Sequence, residues 1–141
     1  MAQPPMTLGL HHLGIAVDDL DAAILVYSDL FGATLEHRER VEDQGVEAAS
    51  LRVGESRIEL LQPLAPDTPV GKFLAKRGPG MHHLAFEVAD LAAELERLKA
   101  HDVLLIDEQP RRGMFGLQVA FVHPEATGGV LAEFVSDDRQ H

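Results

Sequence analysis

A chain of 141 residues with 12 basic and 23 acidic side chains carries a formal net charge of −11, a poor match for nucleic-acid phosphates. The absence of cysteine removes disulfides, thiolate metal sites and cysteine nucleophiles. No apolar run reaches the ~18 residues of a membrane span, and residues 1–8 lack a basic stretch followed by an apolar core, so a cytoplasmic protein is expected.

Residues 10–17 are apolar, with small residues at Gly14 and Ala16, and read as a strand. Asp18 or Asp19 is placed to cap a helix, because a short carboxylate accepts free backbone N–H groups. Leu20, Ile24, Tyr27 and Phe31 then recur on one helical face, and Gly32 is placed to stop that helix. Residues 34–40, 46–53 and 57–61 read as strands, with Gly54-Glu55-Ser56 as the turn between the last two. A joint rich in Pro and Gly, 64–80, holds a short basic amphipathic stretch at 70–77.

After the joint the order returns. Residues 82–88 read as a strand and 90–99 as a helix, with Leu91, Leu95 and Leu98 on one face. Residues 103–106, 117–122 and 130–135 read as strands, 111–116 as a glycine-bearing loop and 136–141 as a loose tail. The expected pattern is βαβββ, twice, an α+β class. Module one covers about 9–63 and module two about 81–136, within a single domain 1–141. A module near 70 residues is marginal alone, so the two are expected to share a core and the chain to form a homodimer.

The duplication is visible residue by residue. His11-His12-Leu13-Gly14-Ile15-Ala16-Val17 returns 71 residues later as His82-His83-Leu84-Ala85-Phe86-Glu87-Val88. Asp19 maps onto Asp90, Leu20 onto Leu91, Ile24 onto Leu95 and Tyr27 onto Leu98. Each module also places a glutamate in an apolar strand, Glu59 and Glu133. A carboxylate there is costly unless it is paired or bound to a cation. One strand His or one strand Glu is more often a core or salt-bridged residue. Two of each at matching places point instead to one divalent ion.

Imidazole and carboxylate suit Co²⁺, Mn²⁺, Ni²⁺, Zn²⁺ or Mg²⁺. A tetrahedral arrangement would close the site, whereas an octahedral one leaves two positions for a bidentate substrate. Strand neighbours point to opposite faces, so one histidine of each doublet lines the site. His12 and His83 are the choice, because Gly14, Ala16 and Ala85 share their face and leave room for a ligand. His11 and His82 share theirs with Leu13, Ile15, Leu84 and Phe86, an expected core face.

At these residues the chain resembles the vicinal oxygen chelate superfamily, the glyoxalase and bleomycin-resistance fold. Paired βαβββ modules in that fold form a cup-shaped mixed sheet around one metal. The segments Gln44-Gly45-Val46, Ile58-Glu59-Leu60-Leu61-Gln62-Pro63, Lys72-Phe73-Leu74-Ala75-Lys76, Phe121-Val122-His123-Pro124 and Gly129-Val130-Leu131-Ala132-Glu133-Phe134 are most similar to the methylmalonyl-CoA epimerase family. The resemblance spans about residues 10–135. It implies metal roles for His12, Glu59, His83 and Glu133, and interconversion of (2R)- and (2S)-methylmalonyl-CoA, a step of propionate metabolism.

The chemistry is intelligible. The mobile proton lies between a thioester carbonyl and a carboxylate, and its removal makes an enolate whose charge a chelating dication stabilises. Inversion then needs an acid/base group on each face of the planar intermediate.

Some members place a glutamate base two positions after Gln-Gly-Val. Here that position is Ala48, and the carboxylate stands one step earlier, at Glu47. Glu47 serves as base only if the strand is bulged; otherwise it is a solvated surface residue. Glu133, through a non-ligating oxygen, is the other candidate base, and a metal-bound water a third. The resemblance sets Gln44 against the substrate. Lys72, Lys76 and Arg77 on the joint, with Arg111 and Arg112 on the later loop, are candidates for the phosphates of an acyl-CoA. A glyoxalase I-type lyase on a glutathione hemithioacetal would use the same four ligands. A metal-free small-molecule-binding module of the same fold is the non-enzymatic alternative.

Overall fold

In the computed structural model, β1 (Thr7–Ala16) leads into α1 (Leu20–Phe31), β2 (Thr34–Val41), β3 (Val46–Val53) and β4 (Ser56–Pro63). Then come α2 (Pro69–Arg77), β5 (Gly80–Val88), α3 (Leu91–Ala100), β6 (Arg111–Arg112), β7 (Gln118–Val122) and β8 (Ala132–Ser136). Residues 4–140 are described. The first three residues of the N-terminal segment and the last residue of the expected tail lie outside them.

The chain divides into two units. One holds residues 12–82, and the other holds the start of the chain through His11 together with the chain from His83 onward. Both boundaries fall inside the histidine doublets, so each doublet gives one histidine to each unit. In the 12–82 unit the strands run β2-β3-β4-β1, antiparallel except for the parallel pair β4 and β1. In the other unit they run β5-β8-β7-β6, antiparallel except for the parallel pair β5 and β8.

The registers repeat as well. Gly14 stands opposite Glu59, and Ala85, its counterpart in the sequence repeat, stands opposite Glu133. The expected βαβββ order therefore occurs once in each unit, and the sequence repeat is a repeat of hydrogen-bond register.

Local chemistry sets the helices. The Asp19 side chain accepts from Ala22 N at 3.1 Å, and Asp90 does the same for Ala93 N at 3.0 Å. Gly32 ends α1 in the left-handed conformation that a glycine adopts without strain. Leu20, Ile24 and Tyr27 of α1 pack on Ile15, Val17, Ala49, Leu51 and Leu60. Leu91 and Leu95 of α3 pack with Val88 and Ala120, and Leu98 with Val122 and Ala132. Each such leucine contributes about 1.5–3 kcal/mol by leaving water. Phe31, expected on the buried stripe, is 59% exposed and lies against the Tyr27 ring instead.

Three expectations change. Residues 103–106 do not form a strand; Leu105 makes one isolated bridge to Val122. Leu104 O and Ile106 N still pair with His123 N and Phe121 O, but the Asp107 carboxylate accepts from Phe121 N at 2.8 Å, so a side chain ends the ladder there. Residues 111–116 contain the two-residue β6 and a turn of 3-10 helix at Met114–Gly116 rather than an open loop. The tail is not loose at Asp137, which is 3% exposed and bonded to His11 and Arg139.

Candidate functional site

Parallel pairing puts directly opposed residues on one face of a sheet, and residues two apart on a strand share that face. In the 12–82 unit this gathers His12, Gly14 and Ala16 of β1 with Glu59 and Leu61 of β4. His12 Nε2 stands 3.5 Å from Glu59 Oε2, both residues buried. The opposite face carries Leu13, Ile15 and Leu60 under α1.

The other unit repeats the arrangement. His83 precedes Ala85 by two, Ala85 faces Glu133, and His83 Nε2 stands 3.4 Å from Glu133 Oε1. These side chains are only 1% and 3% exposed. The Phe121 ring meets the His83 imidazole edge to face at 5.6 Å and so fixes its plane.

Both nitrogen-to-oxygen distances exceed the 2.7–3.2 Å of an ordinary hydrogen bond. They come within about 0.1 Å of the spacing of two donors on one ion: ligands about 2.1 Å from a metal and roughly 90–110° apart stand about 3.0–3.4 Å from each other. His12, Glu59 and His83 are candidate ligands for a metal ion. The donor types, imidazole and carboxylate, suit a divalent transition metal.

The other member of each doublet does different work. His11 does not join an apolar core; its Nε2 lies 2.7 Å from Asp137 Oδ2. His82 is half-buried, with its ring edge against Phe73 of α2 at 5.0 Å. Alternation assigned the faces correctly but was silent on the partner that makes a buried His11 tolerable.

Glu47 is not brought to Glu59. The β3–β4 register runs unbroken from Val46 opposite Pro63 to Val53 opposite Ser56, so β3 carries no bulge. Glu47 therefore shares the face of Ala49 and Leu60, and Arg38 Nε donates to its carboxylate at 2.8 Å. Arg38 also bonds Asp21 of α1, and its pKa is pushed up by these two carboxylates. Glu47 is part of a surface ion-pair network on the helix-covered side.

Gln44 ends a turn of 3-10 helix, Glu42–Gln44, just ahead of β3. Gly45 follows with φ 68°, and a Cβ there would meet Thr68 Cγ2 at 2.7 Å. Thr68 caps α2 through Gly71 N at 3.1 Å, so the Gln44 turn is packed against the start of the helix that carries Lys72 and Lys76. Both lysines are exposed, one helical turn apart, and Arg77 stands beside them. In the other unit Arg111 lies over the Phe121 ring, 5.6 Å from its centroid, with Asp107 3.5 Å from its Nε. Arg112 is exposed on the same short strand.

Sequence reading passed over two residues on the face of the 12–82 unit that carries Glu59. His37 of β2 is opposite Ser50, and Glu39 is opposite Ala48. No alternation of residue type along 37–41 marks that face, because Glu36, Arg38 and Arg40 beside them are charged too.

A glyoxalase-type βαβββ pair with a buried His–Glu pair in each half defines a class, and the comparisons agree. The model of the Glyoxalase/Bleomycin resistance protein/Dioxygenase superfamily matches residues 11–121. Human mitochondrial methylmalonyl-CoA epimerase is 36% identical over 125 residues, covering 88% of this chain and 71% of that protein. The crystal structure of methylmalonyl-CoA epimerase from Mycobacterium tuberculosis superposes with a TM-score of 0.92 at 42% identity, covering 99% of this chain and 95% of that one. A methylmalonyl-CoA epimerase solved with methylmalonyl-CoA and NH4+ gives 0.91 at 38% identity, covering 94% and 96%. The chain belongs to the glyoxalase/bleomycin resistance superfamily and, within it, to the methylmalonyl-CoA epimerase family.

Proposed function

We propose that this member of the family interconverts (2R)- and (2S)-methylmalonyl-CoA with the help of one divalent ion per chain. The observation that carries the reading is the repeated buried pair, His12 with Glu59 and His83 with Glu133, at donor spacings that suit a shared ion better than a hydrogen bond. The four side chains would hold the metal, Co²⁺ first among Mn²⁺, Ni²⁺, Zn²⁺ and Mg²⁺. When bound, that ion supplies positive charge to the oxygens on which the substrate's negative charge develops. Glu133, almost fully buried, is poised to exchange a proton with a substrate carbon through its second oxygen. Exposed Lys72 and Lys76, with Arg111 and Arg112, supply cationic contacts for the phosphates of coenzyme A in a chain that is otherwise strongly acidic.

The relatives' names favour this substrate over a glutathione hemithioacetal, and the buried carboxylates favour it over a metal-free binding module. Among the described residues no helix is long and apolar enough to cross a membrane. We assign the chain to cytoplasmic propionate metabolism and to a homodimer. The exposed Leu25, Val26, Leu30 and Phe31 of α1 supply an apolar face for a second copy.

Proton exchange at C2 tests the reading. Protein loaded with Co²⁺ is expected to wash the α-proton of methylmalonyl-CoA into D₂O and to interconvert the epimers. Turnover of the methylglyoxal–glutathione hemithioacetal without that exchange would move the chain to glyoxalase chemistry.

A further inference from the structure

The His–Glu pairs repeat from unit to unit, but the repeat does not identify a second acid/base group for inversion at the stereocentre. On the face that carries Glu59, position 48 is Ala48, 1% exposed and without a titratable atom. Its cross-strand partner on β2 is Glu39. Directly opposed residues hold their Cβ atoms about 4.5–5.5 Å apart on one face. A carboxylate thus stands one strand away from Ala48, in the row Glu39, Ala48, Leu61, Ala16. The adjacent row on that face is His37, Ser50, Glu59, Gly14.

His37 and Glu39 are coupled, with His37 Nε2 2.8 Å from Glu39 Oε1. Their side chains are 36% and 18% exposed, so Glu39 is the more covered of the two. The repeat breaks here. In the other unit Val119 stands where Ala48 does, and its partner is Arg111. This carboxylate has no counterpart in the other unit.

We infer that Glu39 is the second acid/base group of the epimerisation, with His37 as its positioning residue; the inference rests on the function proposed above. On one face of the substrate the Glu39 carboxylate takes the α-proton. The C–H bond breaks, an O–H bond forms on Glu39, and the electron pair moves onto the thioester oxygen. A second, protonated acid on the opposite face returns a proton to the carbon and is left as its conjugate base. The reverse direction exchanges the two roles, and no net proton is consumed.

The test follows each C2 epimer separately in D₂O with Co²⁺-loaded protein. Glu39→Gln is expected to slow interconversion by about 10²-fold or more, while exchange survives in the epimer whose proton faces the remaining base. Adding Ala48→Glu to Glu39→Gln restores a carboxylate on that face and is expected to recover interconversion at least about tenfold. His37→Phe is expected to move the pH profile of kcat while metal content stays the same; an unmoved profile removes His37 from the assignment. Wild-type interconversion by Glu39→Gln overturns the inference. So does an equal loss of both exchanges that Ala48→Glu does not relieve, the mark of a structural role. Failure of the epimerase reading itself is told apart, because the unsubstituted protein would then exchange neither epimer.

Discussion

His11 and Asp137 are 126 positions apart in sequence and 2.7 Å apart in space, both buried, with Arg139 as a second partner of the carboxylate. Burial opposes the charge on Asp137. Hydrogen bonds from the Arg139 side chain, from His11 and from the Arg139 backbone outweigh it and hold the carboxyl well below the usual carboxylate range. The Arg139 guanidinium also sits over the Phe115 ring, 3.7 Å from its centroid, so the carboxylate anchors a residue that packs on the β6–β7 loop. A folded-state pKa below the unfolded value adds stability that is complete above about pH 4 and is lost as pH falls through the folded value. The wild type is therefore expected to lose stability in acid more steeply than Asp137→Asn. Asp137→Ala, which takes the buried carboxylate away from His11 and Arg139, is expected to cost about 3 kcal/mol at neutral pH. Urea unfolding measured from pH 2.5 to 7 checks both.

Metal occupancy distinguishes the His–Glu pairs from structural ion pairs. His83→Ala and Glu59→Gln are each expected to lower bound Co²⁺ from about one ion per chain to a small fraction, by elemental analysis after dialysis. Chelation of the wild type is expected to lower Tm, and free Co²⁺ at 100 times its Kd should return about 2.7 kcal/mol. Unchanged Tm on chelation would speak for pairs that merely satisfy each other.

Why was so much of this site readable in advance, and the rest not? The candidate metal ligands are legible because duplication supplies an internal control: His12 and Glu59 recur as His83 and Glu133, and strand alternation selects within each doublet. Helix ends are legible for a similar local reason, since Asp19, Asp90 and Gly32 act on atoms within a few residues. Glu39 is illegible because its meaning lies in a cross-strand partner: only the β2–β3 register shows that it faces Ala48. The strand expected at 103–106 shrinks to a single bridge where the Asp107 side chain bonds Phe121 N, a pairing that apolar periodicity does not encode. Asp137 looked like a tail residue for the same reason, its partners lying at the other end of the chain and two residues on.

Glu94 of α3 is 1% exposed, and Arg97 one turn later donates to both its oxygens at 2.9 and 3.1 Å. The pair faces the core side of a helix otherwise held by leucines. Arg97→Ala leaves a buried carboxylate unpartnered by that guanidinium and is expected to cost about 3 kcal/mol. Glu94→Leu removes the charge with its desolvation and is expected to cost less, by the same unfolding measurement.

Lys72 and Lys76 project from α2 into solvent, so their removal leaves the fold intact. If they meet the phosphates of coenzyme A, Lys72→Ala with Lys76→Ala is expected to raise KM several-fold with kcat nearly unchanged. The same double variant should flatten the rise of KM with salt, because exposed charge contacts are screened over about 10 Å at 0.1 M ionic strength. Steady-state kinetics at two salt concentrations separate this from a loss of chemistry.

Gly71 sets where α2 can lie. A Cβ at this position would stand 2.5 Å from the Ala65 carbonyl oxygen and 2.6 Å from that of Pro66, both backbone atoms that cannot swing aside. Alanine is the better helix former by about 1 kcal/mol, so propensity alone argues that Gly71→Ala should stabilise. The clash argues the other way: inserting a methyl into packed backbone costs about 1–3 kcal/mol, and here it also pushes α2 from the segment that carries its Thr68 cap. The net expectation is a loss of stability together with a raised KM, since Lys72 and Lys76 move with the helix. A thermal melt and a substrate titration on the one variant decide which effect wins, and a higher Tm with unchanged KM would mean that the 65–66 segment yields instead.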